Sequence, residues 1–136
     1  MIVVDSNVIV YCWMSGARTD IAQRVRAADP DWQVPLLWRS EVRSTLAGFM
    51  RDGSIGHALA CVLMRHIEEQ LSGGEHLPDS DAVLHVVERS RLSVYDAEFV
   101  ALADGLGVPL VTEDTAIVRS FPARAMTMEA FLESRR

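Results

Sequence analysis

Asp5, Glu41, Asp96 and Asp114 are the residues of this chain whose placement suggests chemistry. Asp5 follows directly on the apolar run Ile2-Val3-Val4. Asp114 closes the stretch Val108-Pro109-Leu110-Val111-Thr112-Glu113-Asp114. Short, continuously apolar runs read as buried parallel strands, and in an open parallel sheet ligands collect beyond the carboxyl ends of the strands, where strand order reverses. Glu41 and Asp96 fall in the first turns of two helices expected to abut that edge. Each acid also has an ordinary explanation. Asp96 completes an S-x-x-D start signal with Ser93, Asp114 serves as an N-cap, Glu41 complements a helix dipole, and Asp5 is a loop acid.

Gathered together, the same acids would lose water and repel one another, which raises their pKa values and costs stability. A hard divalent cation turns that repulsion into shared coordination. Carboxylates without His or Cys favour Mg²⁺ or Mn²⁺ over zinc. The histidines, His57, His66, His76 and His85, are spread over the middle of the chain, away from these acids. Mg²⁺ held by few carboxylates keeps waters and takes phosphate oxygens in its open positions, so the chemistry implied is hydrolysis of a phosphodiester.

The elements that must position these acids can be read in order. Ile2 to Asp5 is a strand, Asn7 to Trp13 a short helix and Arg18 to Ala28 a second, ended by Asp29-Pro30. Val34 to Leu37 reads as a strand with Pro35 near its beginning. Residues 38 to 71 read as a helical hairpin, with a turn at 51–54, Ser54 as cap and a longer helix from Ile55 to Leu71. Residues 75–78 read as a connection, and Asp79 or Asp81 caps a helix to about Ser90. Tyr95 to Leu106 is apolar at helical spacing and is stopped by Gly105 and Gly107; the strand Val108 to Val111 follows. Asp114 starts a helix over 115–120. Ala123 to Thr127 is a last strand, and Glu129 to Ser134 a last turn of helix. Strands alternating with helices give an α/β sandwich on a parallel sheet.

The blocks "VVDSNV", "PLLWRSEV", "SVYDAEFVALA" and "GVPLVTED" resemble PIN-domain nucleases, especially the VapC-like toxins of bacterial type II toxin–antitoxin pairs, along nearly the whole chain. The resemblance implies a single PIN-like nuclease domain over residues 1–136, a three-layer α/β sandwich with a central parallel sheet and an inserted helical hairpin. It implies a Mg²⁺- or Mn²⁺-dependent endoribonuclease with Asp5, Glu41, Asp96 and Asp114 as both catalytic and metal-binding acids. Ser6, Asn7 and Thr112 would orient carboxylates and water. It also implies a homodimer and a small cognate antitoxin whose tail covers the groove. Glu113 adds an acid beside Asp114; it is expected to face outward, though it could join the cluster. Relatives often carry a charged residue just after the position of Asp114, where this chain has Thr115 and Ala116, which leaves the number of metal ions open.

Composition narrows the alternatives. With 49% hydrophobic residues the chain is globular, and no apolar run approaches the length of a membrane span. No basic, then apolar, leader precedes the first strand, so a cytoplasmic protein is expected. Cys12 and Cys61 lack C-x-x-C spacing and read as reduced core thiols. The net charge is −6, and all thirteen basic residues are Arg. Without Lys, neither Schiff-base chemistry nor a Walker-type phosphate site operates, and a phosphotransfer domain using Asp5 as nucleophile is disfavoured. An acidic pocket needs flanking arginines to hold RNA; Arg39 and Arg43, which bracket Glu41, are the first candidates, with Arg18 and Arg119 behind them. Trp13, Trp32 and Trp38, with Met14 and Met50, are core residues or the lining of a groove or dimer face. The competing reading is a catalytically inactive PIN-like scaffold that binds RNA or a partner protein.

Overall fold

The computed structural model describes residues 1–136. Its strands are β1 (Ile2–Val4), β2 (Trp32–Pro35), β3 (Glu75–His76), β4 (Leu110–Val111) and β5 (Ala125–Met126). Its helices are α1 (Ser6–Trp13), α2 (Thr19–Ala28), α3 (Trp38–Arg51), α4 (His57–Gln70), α5 (Ser80–Glu88), α6 (Val94–Leu106), α7 (Thr115–Ser120) and α8 (Met128–Ser134). The strands form one sheet in the order β3-β2-β1-β4-β5, with every pairing parallel.

That order means the chain moves outward from β1 through β2 to β3, then crosses back to β4 and continues to β5. With right-handed crossovers, the two directions put helices on opposite faces, and the packing agrees. On one face α1 contacts α2 and α3, α2 contacts α8, and α3 contacts α4. On the other, α6 lies against β1, β2 and β4 and is covered by α5. The result is the expected three-layer sandwich, with α3 and α4 as the inserted hairpin. The reversal falls between β1 and β4, the neighbouring central strands whose carboxyl ends lead into Asp5 and Asp114.

Burial explains why the central elements form. Ile2, Val3, Val4, Leu110 and Val111 are essentially inaccessible, and each such side chain contributes roughly 1.5–3 kcal/mol of transfer free energy. Helix α6 buries Ala97, Phe99, Val100, Ala101, Leu102 and Ala103, most of its circumference, because it is sandwiched between sheet and helix. Ser93 caps it by accepting from the Asp96 amide at 3.1 Å, and Gly107 ends it in the left-handed region at φ 68°.

Four sequence expectations shift. The second strand is Trp32–Pro35 instead of Val34–Leu37, so Pro35 ends it; Val34 and Leu36 supply the amides that bond toward β3. Glu75-His76, expected as connection, is the edge strand β3. Helix α4 begins after Gly56, while Ser54 is drawn into a turn in which its amide donates to Asp52 Oδ1 at 2.8 Å. Of the cysteines, Cys12 is buried as expected, but Cys61 is only half-buried and lies on a groove.

Strand β3 depends on a close approach at Gly74. A Cβ there would stand 2.3 Å from the Trp32 carbonyl oxygen, which is backbone and cannot swing aside. Gly74→Ala is therefore expected to destabilise the fold by about 1–3 kcal/mol in denaturant unfolding. The Val34 amide, which donates to the Gly74 carbonyl at 2.8 Å, should lose hydrogen-exchange protection first.

Candidate functional site

Each acid reaches the carboxyl edge of the sheet by a different route. Asp5 leaves β1 and becomes the N-cap of α1, its Oδ1 accepting from the Ser6 amide at 2.8 Å. Asp114 follows β4 as the N-cap of α7, its Oδ1 accepting from the Ala116 amide at 2.9 Å. Glu41 lies in the first turn of α3, just beyond β2, and Asp96 in the first turn of α6. The four capping or first-turn roles and the clustering are thus the same fact: helix N-termini converge on this edge.

Together Asp5, Glu41, Asp96 and Asp114 line one pocket of about 330 Å³, with Ser6, Asn7, Ser44 and Thr45 as its other walls and no hydrophobic or basic side chain among them. The polar neighbours are ordered. Ser6 Oγ donates to Glu41 Oε1 at 2.7 Å. Thr112 Oγ1 donates to Asp5 Oδ2 at 2.6 Å and accepts from the Asp114 amide at 3.0 Å, joining the two strand-end acids through one fully buried hydroxyl. Asn7 Nδ2 approaches Asp5 Oδ2 at 3.4 Å, and its Oδ1 faces the Glu113 amide at the same distance.

The electrostatics are those of crowded, dehydrated anions. Burial pushes the Asp5 carboxyl up to about 6, against the hydrogen bonds from Thr112 and Ser6, with Glu41 and Asp96 adding repulsion. Glu41 is raised by burial and then by Asp96 and Glu98, although the Ser6 hydroxyl opposes this. Asp96 is raised by burial and by Asp114. As the side chains stand, no three carboxylate, His or Cys groups are close enough to share an ion. Ser6 and Thr112 tether two of the acids, Glu41 and Asp5. The donor set, carboxylate, hydroxyl and amide oxygens without sulfur or imidazole, fits Mg²⁺ or Mn²⁺.

Other candidate residues lie elsewhere. Glu113 does not line the pocket and is not a free outward acid: its carboxylate pairs with Arg18 and accepts from the Met128 amide at 3.1 Å, tying the start of α8 to the strand end. Arg39 turns away from the pocket, because Glu75 grips it through two bonds of 2.7 and 2.8 Å and Glu68 holds a third nitrogen. Arg43 lines the groove between α3 and α4. Neither flanks the acids, since Arg43 projects from a different side of α3 than Glu41 and Arg39 is held by acids of α4 and β3. Ser44 and Thr45 escaped the sequence reading; their spacing of three and four residues from Glu41, one helical turn, is the signal that places them beside it. Glu98, whose charge reaches Glu41, carried no such signal.

The raised carboxyls fix a pH dependence. Unfolded, Asp5 releases its proton near 3.8; folded, it holds it to about 6. Between those values the native state binds more protons, so stability falls as pH rises through that window. Carboxyls held below their usual range act at more acid pH: Glu75 through Arg39, and Asp29, where burial is outweighed by the amino terminus and the Asp31 amide. In EDTA, the melting temperature is expected to be lower at pH 7.5 than at pH 5, through a contribution on the order of 1 kcal/mol from Asp5. Asp96→Asn should raise the metal-free melting temperature at pH 7.5 by relieving repulsion; a clear fall there would mean the acids act as structural caps.

No family model matches this chain, and no curated protein matches it. Among solved structures, it is similar to a chain in the crystal structure of FitAcB from Neisseria gonorrhoeae over 95% of this chain and 99% of that one, with a TM-score of 0.75 and 15% identity. It is likewise similar to a chain in the structure of FitAB bound to an IR36 DNA fragment, over 94% of this chain and 95% of that one, with a TM-score of 0.72 and 15% identity. At that identity the shared property is architecture: five parallel strands flanked by helices, the PIN-like fold, along almost the full chain.

Proposed function

We propose that this chain is a metal-dependent endoribonuclease that hydrolyses RNA phosphodiester bonds as the toxin of a toxin–antitoxin pair. The observation that carries this is the convergence of Asp5, Glu41, Asp96 and Asp114 on one wholly polar pocket at the strand-order reversal. The PIN-like architecture and the similarity to FitAB chains support the toxin reading. By the same analogy, the partner is a small antitoxin, and FitAB bound to DNA suggests that such an assembly engages DNA. No helix is long and apolar enough to cross a membrane, and a cytoplasmic homodimer is the working form.

Asp5, Glu41, Asp96 and Asp114 would be the metal ligands. Mg²⁺ or Mn²⁺ bound there would neutralise phosphate charge and lower the pKa of an attacking water. The chain's own contribution is orientation. Thr112 and the Ser6 amide fix the Asp5 carboxylate, the Ser6 hydroxyl fixes Glu41, and the Ala116 amide fixes Asp114. Ser44 and Thr45, beside Glu41 on α3, offer neutral hydroxyls to a substrate.

Purified protein is expected to cleave RNA with Mg²⁺ or Mn²⁺ and to stop in EDTA. Asp5→Asn should stay folded and lose activity by on the order of 100-fold or more, with Ser6→Ala losing about 10–100-fold as a positioning change. Unimpaired cleavage by Asp5→Asn would remove the proposal. The inactive scaffold draws on the wide stance of the acids; calorimetric metal binding with no turnover on any RNA would favour it.

A further inference from the structure

The helical hairpin carries a second set of donor atoms, opposite in character to the acids. His57 and Cys61 stand one turn apart on α4, on the same face, and His57 Nε2 lies 3.4 Å from Cys61 Sγ. They open onto a groove of about 280 Å³ between α3 and α4, lined also by Met50, Met64, Leu46 and Arg43. Met64 follows Cys61 by three residues and shares its face. Met50 ends α3 where the hairpin brings it across from the start of α4. One imidazole, one thiol and two thioethers therefore border a single groove whose lining contains no carboxylate.

We infer that this groove binds a soft monovalent metal ion, Cu(I), through the Cys61 thiolate and His57 Nε2, with the Met50 and Met64 thioethers as further donors. Thiolate and thioether ligands select Cu(I), whereas Mg²⁺, Ca²⁺ and Mn²⁺ require oxygen. Zn²⁺ takes thiolate, imidazole or carboxylate in a four-ligand site, and two of the donors here are thioethers. The geometry suits a shared ion: metal–nitrogen and metal–thiolate bonds of about 2.0 and 2.3 Å spanning the 3.4 Å gap close at roughly 100°. Binding displaces the thiol proton to solvent. The resulting copper–thiolate unit is neutral, so the Arg43 guanidinium does not oppose it, and the apolar walls favour the lower-charged ion. Met side chains are flexible enough to swing sulfur toward an ion without moving the helices.

The test uses the full chain under anaerobic, reducing conditions. Titrated with Cu(I) against bicinchoninate, the protein is expected to withdraw a single ion per chain, with thiolate-to-copper absorption in the ultraviolet. The bound ion should mask Cys61 from a disulfide reagent, while Cys12, at 3% exposure, stays unreactive throughout. Cys61→Ser and His57→Ala should each weaken retention by on the order of tenfold or more. Met50→Leu, which conserves volume, should weaken it less, and circular dichroism will confirm that each variant is folded. Asp5→Asn should leave retention unchanged, since the acids line a different pocket. Equal retention by Cys61→Ser, or wild-type protein that yields all its Cu(I) to the chelator, overturns the assignment.

Discussion

Asp5 stands where β1 gives way to α1, with 6% of its surface in contact with solvent, and the polar groups around it are there to answer that burial. An unpaired buried carboxylate is among the most costly things a fold can contain. Here the cost is met by the Ser6 amide, the Thr112 hydroxyl and, at longer range, the Asn7 amide. Thr112 is within reach only because β1 and β4 are parallel neighbours in a register that pairs Val4 with Val111. A slip of one residue would turn Thr112 to the other face of the sheet and leave Asp5 without its strongest neutral donor. Strand pairing and site chemistry are in this sense one constraint. The Thr112 hydroxyl extends it to Asp114, and the Ser6 hydroxyl extends it to Glu41.

The placement of arginine sharpens the constraint. Arg18 pairs with Glu113 and Glu129, Arg39 with Glu68 and Glu75, Arg124 with Asp104, and Arg135 with Asp29. These pairs tie helices to strands and the chain ends to the body; where both partners are half-exposed, as in Arg124–Asp104, a pair contributes at most about 1 kcal/mol. Their larger effect is on distribution. Acids such as Glu75, Asp104 and Glu113 are matched by cations, and the four inside the pocket are not. Four unmatched carboxylates therefore face one another at one point of the sheet edge.

What could be read from residues alone follows from how strongly each signal is local. Asp5, Asp96 and Asp114 sit at boundaries marked twice, by an apolar run on one side and a cap on the other. Chain order and the reversal at β1 and β4 then place them together. Glu41 was equally legible through its helix. Strand β3 was not, because Glu75 and His76 are polar and only half-buried; their strand character comes from pairing with Val34 and Pro35 across Gly74. The start of β2 was hidden for a related reason: Gln33, a buried polar residue, is satisfied by His76 Nε2 at 2.7 Å and by Asp31 at 2.7 Å, long-range and turn contacts that no periodicity reports. The arginines misled because sequence adjacency to Glu41 says nothing about which acid of a distant element reaches them first.

An unbalanced anionic pocket also limits how a polyanion can use it. Every phosphate arriving at the acids meets repulsion that the lining does nothing to offset, and screening is weak within the roughly 8 Å Debye length at physiological salt. Under the nuclease reading, charge neutralisation at the pocket must therefore precede or accompany productive binding of RNA. Dication concentration would then govern substrate affinity as well as turnover. The same field attracts any guanidinium or ammonium group brought to it on a partner's tail. Such a group would satisfy the acids without supplying an ion that activates water, so a basic partner segment and the dication would compete for one set of oxygens. Inhibition by occupation, not by distortion, is what this distribution of charge favours, because the scaffold beneath Asp5 is already fixed by strand pairing and has little room to move.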